Sequence, residues 1–156
     1  RRDRDEVKEL AAAAAFRGRP YDELEASGAS FARTVHDGWL RSDTVEVLRA
    51  HQAAGDRVVL VSASFEVYLR PLGELLGVDE VLATRLVLAD GVATGALDGP
   101  NCRGPEKVRR LHDWLDGEVG RRTSVRLVAY GDSAGDRELL ADADEAHWMT
   151  SDGSAP

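Results

Sequence analysis

The chain has a single cysteine, Cys102, among 156 residues, so it can form neither an intrachain disulfide nor a zinc site built on several thiolates. That usage fits a reducing compartment, and the expected location is cytoplasmic. No apolar run approaches the roughly 18–20 residues of a membrane span. The alanine run at 11–15 is too short and too helix-prone to be a signal core. Positive charge is also scarce: 20 Lys and Arg against 28 Asp and Glu leave a formal net charge of −8. A general nucleic-acid surface needs a basic footprint, so no nucleic-acid partner is expected. An acidic balance still allows a phosphorylated small substrate, because a bound metal ion reverses the local field. There is no internal repeat and no low-complexity linker. The 43% apolar content is enough for one domain with a real core, and the length is too small for a full second one.

Residues 5–40 read as helical, with Val7, Leu10, Ala11 and Ala14 on one face and a restart at Pro20-Tyr21-Asp22. Ser42-Asp43 can cap a helix over 44–54 that buries Val45, Leu48 and Val47 and stops at Gly55. Residues 57–61 form a β-branched run of buried-strand type, Ser62-Ala63-Ser64 opens a turn, and a helix follows over 65–76. A short strand is expected at 81–83. Asp90-Gly91 between 85–88 and 92–97 signals a hairpin. Gly104-Pro105-Glu106 starts a helix reaching Leu115, with Pro at a favourable first-turn position. Residues 125–130 give a core strand and 146–149 a short last one. Strand and helix alternate from Thr44 onward, which implies an α/β fold with a parallel sheet sandwiched by helices, preceded by a helical appendage. Trp39, Trp114 and Trp148 read as core or interface aromatics.

Tyr130-Gly131-Asp132-Ser133-Ala134-Gly135-Asp136 carries most of the chemistry. A buried strand ending in a glycine turn aims Asp132 out of the sheet's carboxyl edge, where α/β proteins place their sites. Asp136 falls at the start of the next helix. Two carboxylates there suit Mg²⁺, which is held by one or two acids plus waters and substrate phosphate; a Gly-Asp turn with a helix-capping Asp136 explains the same residues structurally. Ser62 follows Val58-Val59-Leu60-Val61, so its hydroxyl and the next N–H can cradle an anion, or Ser62 or Ser64 can cap the following helix. Lys107 opposes the dipole at a helix start, which either a phosphate or plain solvent exposure accounts for.

Ser62, Lys107, Asp132 and Asp136 occur in one order, each at a strand end or helix start. This constellation resembles the phosphoserine-phosphatase-like branch of the haloacid dehalogenase superfamily. Val58-Val59-Leu60-Val61-Ser62-Ala63-Ser64 is similar to its second motif, Gly104-Pro105-Glu106-Lys107 to its third, and Gly131-Asp132-Ser133-Ala134-Gly135-Asp136 to its fourth. The hairpin around Asp90-Gly91 and the stretch Leu97-Asp98-Gly99-Pro100-Asn101-Cys102 also match, so the likeness covers roughly 44–149. It implies a Rossmann-like three-layer sandwich over 42–156, with 1–41 the last part of a helical cap. It also implies Mg²⁺-dependent hydrolysis of a small phosphorylated metabolite through an aspartyl-phosphate. Asp132 would be a metal ligand, with Asp136 supporting the metal shell. Ser62 would bind phosphate with the Ala63 N–H, and Lys107 would hold phosphate and nucleophile. Gly135 stands where the family usually has Asn.

The family's first motif, a hydrophobic strand ending in Asp-x-Asp with the nucleophile first, has no good match. Asp3-Arg4-Asp5 has only Arg1 and Arg2 before it and runs into a helix; Asp142-Ala143-Asp144 lies beyond the fourth motif. The nucleophile is therefore expected upstream of residue 1. The absent strand is central in the family, so its loss would expose strand edges, and stable folding of 1–156 alone is doubtful. A strand donated by another chain, or a homodimer, is a second solution. The competing reading is a catalytically inactive fragment or a phosphate- or metal-binding module. A phosphotransferase would differ only in its acceptor. Arg17, Arg19, Arg33 and His36 in the cap segment either meet an anionic substrate or form a solvated face.

Overall fold

Pro20 divides the amino-terminal helical stretch as the sequence predicts: α1 covers Arg4–Phe16 and α2 covers Tyr21–Gly38. Proline lacks the N–H that would continue a helical ladder, and Pro20 adopts φ −55, ψ 137 just before α2. The structure, a computed structural model, describes residues 4–150. The chain divides into two units, one running to Asn101 and one from Cys102.

The first unit continues with α3 (Ser42–Ala54), β1 (Val59–Phe65), α4 (Glu66–Leu76), β2 (Glu80–Thr84), β3 (Leu86–Ala89) and β4 (Val92–Leu97). Gly55 at φ 83 and Gly77 at φ 66 end α3 and α4 in the left-handed region that glycine enters freely. β1 and β2 are parallel, from Val59 opposite Glu80 to Ser62 opposite Ala83, with α4 as the crossover. β3 and β4 are antiparallel, and Asp90 (φ 49) and Gly91 (φ 76) form the positive-φ pair that a tight hairpin needs. β1 runs on to Phe65, past the turn expected at Ser62, and its register against β2 shifts between Ser62 and Phe65.

Two apolar clusters hold this unit. Ala32, Leu69, Leu72, Leu76, Val81 and Ala83 form one, and α2 comes so close to α4 that a Cβ at Gly28 would lie 2.1 Å from the Val67 carbonyl oxygen. Ala12, Leu24, Phe65, Val67 and Ala93 form the other. The face of α1 that points inward differs from the expected one. Val7 and Leu10 are 52% and 51% exposed, while Ala12 is fully buried and Phe16 packs inward. The cause is close approach: a Cβ at Gly95 in β4 would meet Ala13 Cα at 2.8 Å, so only small side chains fit beneath the helix. Lys8 shares the inner face, its ammonium 3.6 Å from the Phe65 ring centre, and burial lowers its pKa. In α3 no residue is fully buried; Leu48 packs only against the margin of the first cluster. Trp39, expected in a core or interface, is 67% exposed and meets the edge of Phe31.

The second unit contains α5 (Pro105–Glu118), a 3-10 turn at Arg122–Ser124, β5 (Val128–Gly131), α6 (Arg137–Asp142) and β6 (Glu145–Trp148). β5 and β6 are parallel, from Val128 opposite Glu145 to Gly131 opposite Trp148. Leu111 and Leu115, one helical turn apart on α5, are buried, as are Ala129, Leu139 and Leu140. Asp142 accepts from His112 Nε2 at 2.8 Å and from Arg122 Nε at 3.2 Å. The described strands thus form two parallel pairs and one antiparallel hairpin, a mixed α/β architecture with the parallel strand order that the alternation predicts. Among the described residues no helix is long and apolar enough to cross a membrane.

Candidate active-site residues

In the second unit, β5 ends at Gly131 and residues 132–136 turn into α6. Asp136 is the buried acid of this turn, and its two oxygens have separate duties. Oδ1 accepts from Lys107 Nζ at 2.5 Å, and Oδ2 accepts from the Ser133 N–H at 3.0 Å and the Ser133 hydroxyl at 2.6 Å. Ser133 Oγ in turn accepts from the Gly135 N–H at 3.2 Å. The helix-capping alternative for Asp136 therefore fails: its carboxylate makes no capping bond to α6 and points back into the turn. Burial pushes the Asp136 carboxyl up, but the bonds from Lys107 and Ser133 outweigh it and hold the group below the usual carboxylate range. Gly131 makes room for this acid, since a Cβ there would lie 2.5 Å from Asp136 Cβ.

Lys107 reaches the turn because α5 begins where it does. Pro105 occupies the first turn of the helix, and Gly104 before it takes φ 57, ψ −130, a conformation suited to glycine. The Gly104 N–H donates to the Gly135 carbonyl at 3.0 Å, tying the start of α5 to the carboxylate turn. Lys107 is 8% exposed, so solvent exposure does not account for a lysine at this helix start. Glu106 beside it is clamped by Arg109 Nε at 2.7 Å and Arg110 Nε at 2.7 Å. The bonds from Arg109 come first in lowering the Glu106 pKa, with Arg110 adding to them against the effect of burial, and the group falls from 4.5 to about 2.

Asp132 differs from its neighbour. It is exposed, and among the described residues its carboxylate takes part in no hydrogen bond or ion pair. The donor set fits a hard dication of the Mg²⁺ type: one open carboxylate, backed by a second acid that a lysine and a serine hold in place. Among the described residues there is no group of three or more His, Cys, Asp or Glu that could hold a metal.

The other predicted site residues lie in the first unit. Ser62 Oγ accepts from the Ser64 N–H at 3.1 Å and does not cap α4, whose N-cap is Phe65 without a side-chain bond. The Ala63 carbonyl accepts from the Thr84 hydroxyl at 3.1 Å. Thr84, fully buried, also bonds Asn101 Oδ1 at 3.0 Å, and Asn101 Nδ2 donates to Asp5 at 3.0 Å. The structure thus brings Lys107 and Asp136 together, with Asp132 on the same turn, and places Ser62 and Ala63 within β1, where the register against β2 shifts, and not in the turn expected there. Sequence reasoning missed Ser133, Thr84 and Asn101. The three-residue spacing of Ser133 and Asp136 was a usable signal; the Thr84–Ala63 contact, between residues 21 apart, had none. None of the described residues of the two Asp-x-Asp pairs ends a strand. Asp5 lies in α1, Asp142 ends α6 and Asp144 accepts from the Leu127 N–H at 2.7 Å, while Asp3 is outside the described residues. Arg17 Nε donates to the Thr94 carbonyl at 3.2 Å and His36 bonds Asp37 at 3.0 Å.

A parallel strand–helix–strand order with a lysine-braced acid after a core strand is the arrangement of a Rossmann-like α/β core. A family model of haloacid dehalogenase-like hydrolases matches residues 1–141, and the chain belongs to that family, in its phosphoserine-phosphatase-like branch. Protein CicA of Caulobacter vibrioides is 39% identical over 146 residues, 92% of this chain and 63% of that protein. Phosphoserine phosphatase of Halobacterium salinarum is 35% identical over 114 residues, 71% of this chain and 53% of that one. A crystal structure of a protein of unknown function from Bordetella pertussis matches with a TM-score of 0.77 at 30% identity, covering 90% of this chain and 63% of that one. The chain thus spans less than two thirds of the length of the relatives it matches.

Proposed function

We propose that this chain forms the greater part of an Mg²⁺-dependent phosphomonoester hydrolase acting on a small phosphorylated metabolite through an aspartyl-phosphate. The observation that carries the reading is the division of labour on one turn: Asp136 is buried and committed to Lys107 and Ser133, and Asp132 is exposed and uncommitted. Family membership and phosphatase relatives support the same class of reaction.

In this scheme residues 1–41 are the remnant of a helical cap and 42–156 the hydrolase core. Asp132 holds the metal, and bound Mg²⁺ would supply charge neutralisation of the phosphoryl group. Asp136 fixes the Lys107 ammonium, so that a preorganised positive charge meets the phosphoryl oxygens without reorganising during reaction. The Ser62 hydroxyl, whose oxygen accepts from the Ser64 N–H, would donate its own proton to a phosphoryl oxygen, and the Ala63 N–H would add a second donor. A carboxylate attacks phosphorus and the alcohol leaves; water then cleaves the acyl phosphate. Asp5 lies in α1 and Asp142 ends α6, and the relatives are longer, so the nucleophile is assigned to sequence outside residues 1–156.

The test is Mg²⁺-dependent hydrolysis of a generic aryl phosphate by the intact protein and its Asp132→Asn variant. The expected loss in kcat is about 100-fold or more, the scale of removing one electrostatic group from an active site. Equal rates would remove Asp132 from the mechanism.

A further inference from the structure

A side chain packed against the fourth-motif turn has no role in this scheme. Arg103, on the loop that enters α5, lies across the backbone of Gly135. A Cβ placed on Gly135 would sit 3.0 Å from Arg103 Cγ and 3.1 Å from both Nε and Cζ. Arg103 is half-buried, yet among the described residues its guanidinium takes part in no hydrogen bond or ion pair. The other half-buried arginines of this unit with described partners behave differently. Arg110 is paired with Glu106, and Arg122 with Asp142 and Asp144. Taking a guanidinium partly out of water without a counter-charge is unfavourable, and the acid of this turn is already committed to Lys107 and Ser133. Five fixed N–H donors in a fork match phosphate geometry better than any other side chain does.

We propose that Arg103 is a phosphate-binding residue of this site, donating guanidinium N–H groups to the phosphoryl group of the substrate, and that Gly135 is glycine because a side chain there would push Arg103 aside. This rests on the phosphatase reading and adds a residue to it. Gly135 is not at positive φ, so alanine can occupy the position without backbone strain, and the atoms it would meet belong to a flexible side chain. The pair therefore gives a test that separates binding from folding.

Inorganic phosphate binding to the intact protein is measured by titration calorimetry with Mg²⁺ present, for wild type, Arg103→Ala, Arg103→Lys, Gly135→Ala and the Arg103→Ala/Gly135→Ala double variant. Arg103→Ala and Gly135→Ala are each expected to weaken phosphate about tenfold, and the double variant no further than Arg103→Ala alone, since both act on the same guanidinium. Arg103→Lys is expected to recover part of the loss. KM for the aryl phosphate should rise in parallel, with kcat changed less. Phosphate affinity of Arg103→Ala within twofold of wild type, while Asp132→Asn has lost hydrolysis, overturns the role of Arg103 and leaves the phosphatase reading intact. Wild type that neither binds phosphate nor hydrolyses the ester overturns both.

Discussion

The turn after β5 and the irregular last part of β1 around Ser62 each precede a helix, but they are built from different bonds. The first is organised by charge: a buried lysine and a buried aspartate at 2.5 Å, with a serine closing the second oxygen. The second is organised by neutral groups, a Ser62 hydroxyl on the Ser64 N–H and a buried Thr84 hydroxyl on the Ala63 carbonyl. The difference teaches where each region is vulnerable. Buried charges are costly when one partner is lost, because the survivor stays uncompensated in a medium of low polarity. A lost neutral bond leaves a dipole short of a partner, which costs less.

Lys107→Ala should therefore be the most damaging single change, destabilising the intact protein in urea unfolding by about 3–5 kcal/mol as Asp136 is left buried and unpaired. Replacing both members, Lys107→Met with Asp136→Leu, should return most of that stability while leaving no phosphatase activity. If the double variant is no more stable than Lys107→Ala, the charge-based account of this turn is wrong. Gly131→Ala comes next. Its Cβ would meet Asp136 Cβ at 2.5 Å, an overlap expected to cost about 1–3 kcal/mol and to shift the carboxylate off Lys107, lowering kcat along with the thermal midpoint.

How much of this was legible in the sequence depended on how local each cause was. The break at Pro20, the ends of α3 and α4 at Gly55 and Gly77, and the Asp90-Gly91 hairpin are set by residues acting on their own backbone. The order of strands and helices followed from that. The inner face of α1 was misread because an alanine-rich helix has little periodic contrast. What decided its orientation was the approach of Ala13 to Gly95, a contact between different elements. The fourth motif could be located but not interpreted, since an aspartate at the start of a helix serves equally as a cap or as a partner for a distant lysine. Only the position of Lys107, 29 residues away, separates the two. Arg103 was invisible for the same reason: its contact with Gly135 is made by the fold.

On the neutral side of the comparison, Thr84→Val keeps the shape and removes the hydroxyl that bonds the Ala63 carbonyl and Asn101. It should cost about 1–2 kcal/mol in urea unfolding, less than Lys107→Ala. It should also raise KM for the aryl phosphate, because the peptide that follows Ala63 loses one of its two anchors. A cost equal to that of Lys107→Ala would erase the distinction between the two regions.

Acid titration gives the smallest effect and asks how far the charge-built order extends along α5. Glu106 has its pKa lowered from 4.5 to about 2, with the bonds from Arg109 the leading cause. A carboxyl whose folded pKa is depressed adds stability that is fully present above its unfolded pKa and is lost as pH falls through the folded one. Its share should thus be intact above about pH 4.5 and disappear between there and about pH 2. Arg109 is 56% exposed on its side chain, so solvent screens that bond, and the whole contribution should be about 1 kcal/mol. Glu106→Gln should lower stability by that amount at pH 7 and flatten this part of the acid limb, with Arg109→Ala removing a smaller portion through the same window. If the Gln variant unfolds along the wild-type acid limb, the depressed carboxyl does no work in the fold. The charge-built region would then end at the Lys107–Asp136 pair, without reaching its neighbour on the helix.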